Sequence, residues 1–236
     1  MDTLYHFFLE PYQEATILNI ILEFVAALLG VISVIYAKRE NILVFPTGII
    51  STGIYVYLLS QWNLYGDLII NVYYTLMSVY GWLMWSRITS TEDTLPITRT
   101  KKKDKLKTIG IFLFTSIFVV VVYRYYDVMP NSLGFADSIN YAITNMTSGS
   151  LEDFRKITPF LDTFTTGIFF AAMWLMANKK VESWIFWIVG DIVSIPLYFV
   201  KGYGFTGIQY TFFLILAFQG YALWKKSLDK TKMQTL

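Results

Sequence analysis

Seven runs of about 20 mostly apolar residues constrain this chain more than any other feature. They fall at about 16–36, 42–60, 64–85, 107–126, 159–178, 183–200 and 205–224. A bilayer's hydrocarbon core is ~30 Å thick, which a helix crosses in ~20 residues at a rise of ~1.5 Å each. One such run can be a buried helix of a water-soluble domain. Seven in 236 residues leave too little polar surface to cover them. Only 15% of the chain is charged, against about 25% in a soluble domain. The expected fold is an all-α membrane protein, with residues 1–236 forming a single transmembrane domain.

Several function classes lack the residues they need. There is no cysteine, so disulfide frameworks and thiolate metal sites are excluded. The one histidine, His6, lies outside every apolar run, which leaves no basis for a histidine metal cluster or Ser–His catalysis. No metal ligand set or cofactor motif appears. A net charge of +2 is too small to attract nucleic acid. An intramembrane enzyme would have to use Glu23, Asp162 or Asp191 as acid–base groups, with no nucleophile beside them. A seven-helix sensor is the other non-transport reading.

The placement of charge sets the topology. Segments after the first, third, fifth and seventh runs hold Lys38 and Arg39, then Arg87 to Lys107, then Lys179 and Lys180, then Lys225, Lys226, Lys230 and Lys232. The alternate segments hold only Arg124, Arg155, Lys156 and Lys201. Positive residues stay in the cytoplasm, so the N-terminus is expected outside and the C-terminus inside. The opening stretch MDTLYHFFLEPYQEA is acidic and lacks the basic flank of a cleaved signal peptide. The first run is therefore expected to be retained. The basic stretch TRTKKKDKLK reads as a loop that fixes topology, in preference to a lipid or nucleic-acid patch. The outer segment 128–158 is weakly amphipathic in its middle, and fits either lying along the membrane surface or covering an opening.

The chain repeats itself at an offset of 139 residues. That offset pairs Leu22 with Leu161, Glu23 with Asp162, Gly81 with Gly220 and Trp85 with Trp224. Residues 16–85 and 159–224 are therefore read as two three-helix units, with 107–126 as a lone linker helix. A three-helix unit ends on the side opposite its start, and one linker restores the side. The expected arrangement is 3+1+3 with parallel repeats, as in SWEET-type carriers. Two such bundles leave a path between them, which suits alternating access.

An acid lies deep in one run. In ESWIFWIVGDIVSIPLYF, Asp191 is about eight residues into the sixth span, or ~12 Å from its start. A carboxylate at that depth costs roughly 3 kcal/mol or more, so it normally faces protein or water. Trp184, Trp187, Asp191, Ser194 and Tyr198 share one helix face. Indole faces attract cations and an aspartate supplies the counter-charge. The same residues also fit interfacial tryptophans and an aspartate bonded to a neighbouring helix. Asn71, Tyr74, Ser78, Gly81 and Trp85 form a matching stripe on the third span. Ser51, Thr52 and Tyr55 on the second span, and Gln209 on the seventh, are further candidates. Glu23 and Asp162 sit nearer the outer third of their spans, suited to anchoring or a proton relay. Pro196 removes one backbone bond near the end of the sixth span and is expected to weaken or kink it.

The stretch LDTFTTG…MWLMANKKVESWIFWIVGDIVSIPLYFVKGYGFTGIQY resembles the PnuC family of vitamin transporters. The matching residues are Asp162, Thr165, Thr166, Lys179, Lys180, Glu182, Trp184, Trp187, Ser194, Ile195, Leu197, Tyr198, Lys201 and Gly202. LYGDLIINVYYTLMSVYGWLMW agrees in the first half, and the likeness covers nearly the whole chain. The resemblance implies a bacterial plasma (inner) membrane protein that takes up nicotinamide riboside by facilitated diffusion. It further implies trapping by a cytoplasmic kinase, a homotrimer, and substrate held by Trp184, Trp187 and Asp191. Against the family pattern, Ser183 and Asp191 stand where asparagine is common, and the region of Met173 where glutamine is expected. Relatives carry thiamine or other vitamins. Nicotinamide riboside and thiamine both bear a fixed positive charge on an aromatic ring, which an acid between indoles suits.

Overall fold

The computed structural model describes residues 16–61, 65–86, 95–130 and 132–234. His6 and the rest of the N-terminal stretch, and Arg87, lie outside the described residues. Nine α-helices run through them: α1 Ile17–Lys38, α2 Val44–Gln61, α3 Tyr65–Trp85, α4 Lys102–Tyr125, α5 Phe135–Thr147, α6 Leu151–Lys156, α7 Thr158–Ala177, α8 Ser183–Val200 and α9 Gly204–Gln234. All seven apolar runs are helical. α1, α4, α7 and α8 are each long and apolar enough on their own to cross a membrane. α2, α3 and α9 carry more polar residues and pack against them.

Local chemistry explains the boundaries. Thr16 caps α1 by accepting the Asn19 N–H at 3.3 Å. Pro159 sits in the first turn of α7, where its missing N–H is not needed. α8 continues through Pro196 to Val200. Two boundaries differ from expectation. α4 begins at Lys102 because the Asp104 carboxylate accepts the Lys101 N–H at 2.9 Å and caps the helix; six of the ten residues of the basic stretch are thus helix and not loop. α9 runs ten residues beyond 224, since nothing after Gly220 is Gly or Pro.

α1 packs on α2 and α2 on α3; α7 packs on α8 and α8 on α9. α9 also meets α1, α3 meets α7, and α4 lies along α7. The 139-residue offset recurs in these contacts. Glu40 and Lys179 end the α1–α2 and α7–α8 turns, both left-handed, with φ of 58° and 47°. The bond from Asn41 N–H to Tyr36 O (3.0 Å) has its counterpart from Lys180 N–H to Leu175 O (2.9 Å). Phe45 meets Trp85 edge-on at 4.9 Å, and Trp184 meets Trp224 edge-on at 5.5 Å. The same two rings close on glycines. A Cβ on Gly81 would lie 2.3 Å from Phe45, and one on Gly220 would lie 2.5 Å from Trp184.

The outer surface is apolar. On α4, Leu113, Phe114, Ile117 and Val121 are all exposed, Phe114 by 73%. A patch of this kind on a soluble monomer would be a liability; against lipid tails it is the expected face. The chain is a multi-pass membrane protein.

Candidate functional site

Asp191 organises the centre of the second half. It is 2% exposed, and no basic side chain pairs with it among the described residues. It follows Gly190, whose missing side chain lets α7 come close: a Cβ there would fall 2.2 Å from the Phe169 ring. The close approach stacks Phe169 on Trp187, with centroids 5.4 Å apart, and on Tyr210 of α9 at 5.8 Å. Tyr74 of α3 joins from the other half, 6.3 Å from Trp187. Tyr74 and Tyr210 lie within electrostatic range of the Asp191 carboxylate. Tyr210 in turn stacks on Tyr198 at 5.0 Å, and Tyr73 stacks on Phe170 at 3.7 Å. The Trp187 Nε1 and the Ser194 Oγ are buried without a hydrogen-bond partner. One acid, several ring faces and two unpaired donors thus converge where α3, α7, α8 and α9 meet.

Not every expected residue joins this cluster. Trp187, Asp191, Ser194 and Tyr74 do. Trp184 sits apart, in the packed group containing Trp85 and Trp224, against Gly220. Ser78 is buried close to Gly48, which also faces Ser33 of α1. Asn71 donates to the Asp67 carbonyl at 2.9 Å, along its own helix. Gln209 lies near the Tyr55 hydroxyl and near Gly30, between α9, α2 and α1. Ser51 bonds the Ala26 carbonyl at 2.7 Å and Thr52 bonds Thr75 at 2.7 Å, both joining helices. Phe169, Phe170 and Tyr210 were not among the expected residues. An aromatic on a largely apolar helix carries no sequence signal of its own; the Gly190 next to Asp191 was the usable clue.

Charged contacts gather at both ends of the bundle. At the end opposite the basic loops, Lys201 donates to both Asp162 oxygens, at 2.6 and 2.5 Å. The Tyr123 hydroxyl lies near Asp162, and the Lys201 ammonium lies 5.5 Å from the Tyr198 ring. Asp162 is therefore tied to the far end of α8 and sits beside α4. At the basic end, Lys179 is 2% exposed, 4.5 Å over the Trp85 ring and 3.7 Å from Glu40. Trp224 donates to the Ala37 carbonyl at 3.1 Å. Residues 95–101 form a strap under this end. Thr98 N–H donates to Lys179 O at 3.0 Å, Val181 N–H donates to Thr98 O at 3.1 Å, and Ile97 is buried in the core. The Glu182 carboxylate accepts the Thr100 N–H at 2.9 Å. A surface hollow beside Lys225, Lys226 and Lys230 lies away from the aromatic cluster, and its charge is wrong for a cation.

A polar, ring-lined centre inside a bundle of membrane helices suits a carrier of small molecules more readily than an enzyme. Residues 20–226 match the pattern of the family described as nicotinamide mononucleotide transporter, and the chain belongs to that family. It is 23% identical over 212 residues to the nicotinamide riboside transporter PnuC of Escherichia coli K12, covering 87% of this chain and 85% of the relative. It is 26% identical over 209 residues to PnuC of Neisseria mucosa, covering 86% and 71%. A 53-residue stretch is 38% identical to the riboflavin/roseoflavin transporter RibM of Streptomyces davaonensis, covering 22% of this chain and 25% of that one. The fold is similar to a crystal structure of the vitamin B3 transporter PnuC, with a TM-score of 0.61 at 20% identity, over 89% of this chain and 82% of that one. These relatives are transporters, and the protein is one; it is not an enzyme.

Proposed function

We propose that the protein carries nicotinamide riboside across a bacterial inner membrane, holding its cationic ring between Trp187, Phe169, Tyr74 and Tyr210 with Asp191 as counter-charge. The carrying observation is the unpaired Asp191, 2% exposed and surrounded by ring faces. A lone buried carboxylate is costly, and a flat cation offsets that cost through both charge and ring quadrupole. Ser194 and the Trp187 Nε1 supply hydrogen bonds. The substrate class comes from the relatives' names; the acid favours a charged ring over a neutral nucleoside.

The architecture behind this reading is 3+1+3. Residues 16–85 and 159–224 act as parallel units, joined by the helix at 107–126. Its support is the matching turns at Glu40 and Lys179, the matching ring-on-glycine contacts, and the reciprocal packing of α9 on α1 and α3 on α7. The N-terminus faces out and the C-terminus the cytoplasm, following the basic residues. Rocking of the two units exposes the site alternately, with the Asp162–Lys201 pair near one mouth and the Lys179–Trp85 group at the other. Transport is downhill, and phosphorylation inside the cell keeps the product.

Counterflow into liposomes tests this. Labelled nicotinamide riboside should accumulate transiently. Thiamine should compete partly, and uncharged nucleosides should not. Uptake equal to that of protein-free vesicles overturns the reading; uptake blocked best by thiamine reassigns the substrate.

A further inference from the structure

Helix α5 is amphipathic and carries no buried residue. At 100° per residue its surface divides into three faces. Phe135, Ile139, Ile143 and Met146 fall within one arc of about 80°, and all four are exposed, Phe135 by 84% and Met146 by 61%. Asp137, Asn140 and Thr144 lie on the opposite side. Between the two, the third face meets the bundle. There Arg124 of α4 reaches the Ser138 hydroxyl at 3.5 Å and the Leu133 carbonyl at 2.8 Å, and Tyr141 sits 6.0 Å from Phe160 of α7.

We infer that α5 lies flat in the bilayer interface as a lateral arm, its apolar stripe sunk among lipid headgroups and upper acyl chains beside the bundle. The three faces are what that position requires: protein on one flank, lipid below and water above. The helix begins ten residues after α4 ends, so it is held at the membrane's edge. It also continues the lipid-facing surface of α4, where Tyr125 and Tyr126 are exposed in the manner of an interfacial aromatic belt. Its sole charged residue is Asp137, with no Lys or Arg. The contact is therefore hydrophobic and does not select anionic lipid.

The absence of native cysteine makes the test direct. Single-cysteine variants of the full chain, Ile139→Cys, Ile143→Cys and Met146→Cys on the stripe and Asn140→Cys and Thr144→Cys opposite, are spin-labelled and reconstituted into zwitterionic vesicles. Collision rates are read with oxygen, which concentrates in lipid, and with a water-soluble nickel complex. The stripe labels should favour oxygen over nickel by several-fold relative to the opposite face. Adding anionic lipid should change little. Equal, water-like accessibility on both faces overturns the proposal. So does protection of the stripe from both reagents, which would mean that protein, such as a second copy, covers it. Three stripe positions keep the result decisive if one variant does not reconstitute.

Discussion

In the proposed site Asp191 and Trp187 divide the work of holding a cation, so their variants should fail differently. Asp191→Asn keeps the shape and removes the charge. Among the described residues the carboxylate has no protein cation to satisfy, so the loss should fall on the ligand. A charged hydrogen bond is worth about 1.5–3 kcal/mol. Calorimetry should show a cationic ligand weakened by about tenfold or more, with a neutral ring analogue almost unaffected. Trp187→Ala removes a stacking surface 5.4 Å from Phe169. Up to ~2 kcal/mol should be lost for the cation and about 0.5–1.5 kcal/mol for a neutral ring, since stacking serves both. Equal affinities in both variants would take these residues out of the site. Gly190→Ala tests the same pocket from behind. Its Cβ would strike the Phe169 ring at 2.2 Å, so affinity should fall without any loss of a contacting group.

At the scale of helices and turns, the equivalent positions Glu40 and Lys179 share a left-handed backbone but not a surrounding. Their φ values are 58° and 47°, a conformation that costs a residue with a Cβ about 1–2 kcal/mol. Glu40 is partly exposed, whereas Lys179 is enclosed over Trp85. Glu40→Gly should therefore leave thermal stability in detergent unchanged or raised, because relief of backbone strain offsets a weak ion pair. Lys179→Gly should lower it, because the stem and cation that pack on Trp85 are lost with the strain. A drop of equal size in both would mean that the turn, and not the ring contact, sets stability. The helical runs and the 139-residue offset were legible in the sequence, because apolar length and the spacing of matched residues can be read along the chain; the left-handed turns were not, since Glu40 and Lys179 stand where a glycine would have signalled them. The site was only half legible. Thr52, Gly48 and Gly30 occupy the positions equivalent to Asp191, Trp187 and Phe169. The ring cluster is thus built in one half and completed by Tyr74 from the other, and no periodicity within a helix reports that. Trp184 shared the helix face of Asp191 but was drawn into the group around Trp224, where Gly220 left room for it.

For the molecule as a whole, the basic end is where the halves touch through equivalent residues. Glu40 meets Lys179 at 3.7 Å and Trp85 meets Trp224 at 6.0 Å. In the proposed two-unit architecture, residues related by the offset can contact each other only near the axis between the units, so these pairs would mark that axis, and the proposed rocking would shear them. Lys179→Glu places two carboxylates together there, and Glu40→Lys places two ammonium groups together. Either should slow counterflow several-fold while leaving ligand affinity nearly intact, because Phe169, Tyr74 and Tyr210 stack around Trp187 without touching this charged pair. Combining the two restores an opposite-charge pair. The double variant should regain more activity than additivity allows, though not all of it, since a carboxylate at position 179 sits poorly on the Trp85 ring face. Coupling between residues in contact runs at about 0.5–3 kcal/mol. Simple additivity in the double variant would show that the halves do not communicate through this pair, and the opening of the basic end would then depend on the strap at residues 95–101 instead.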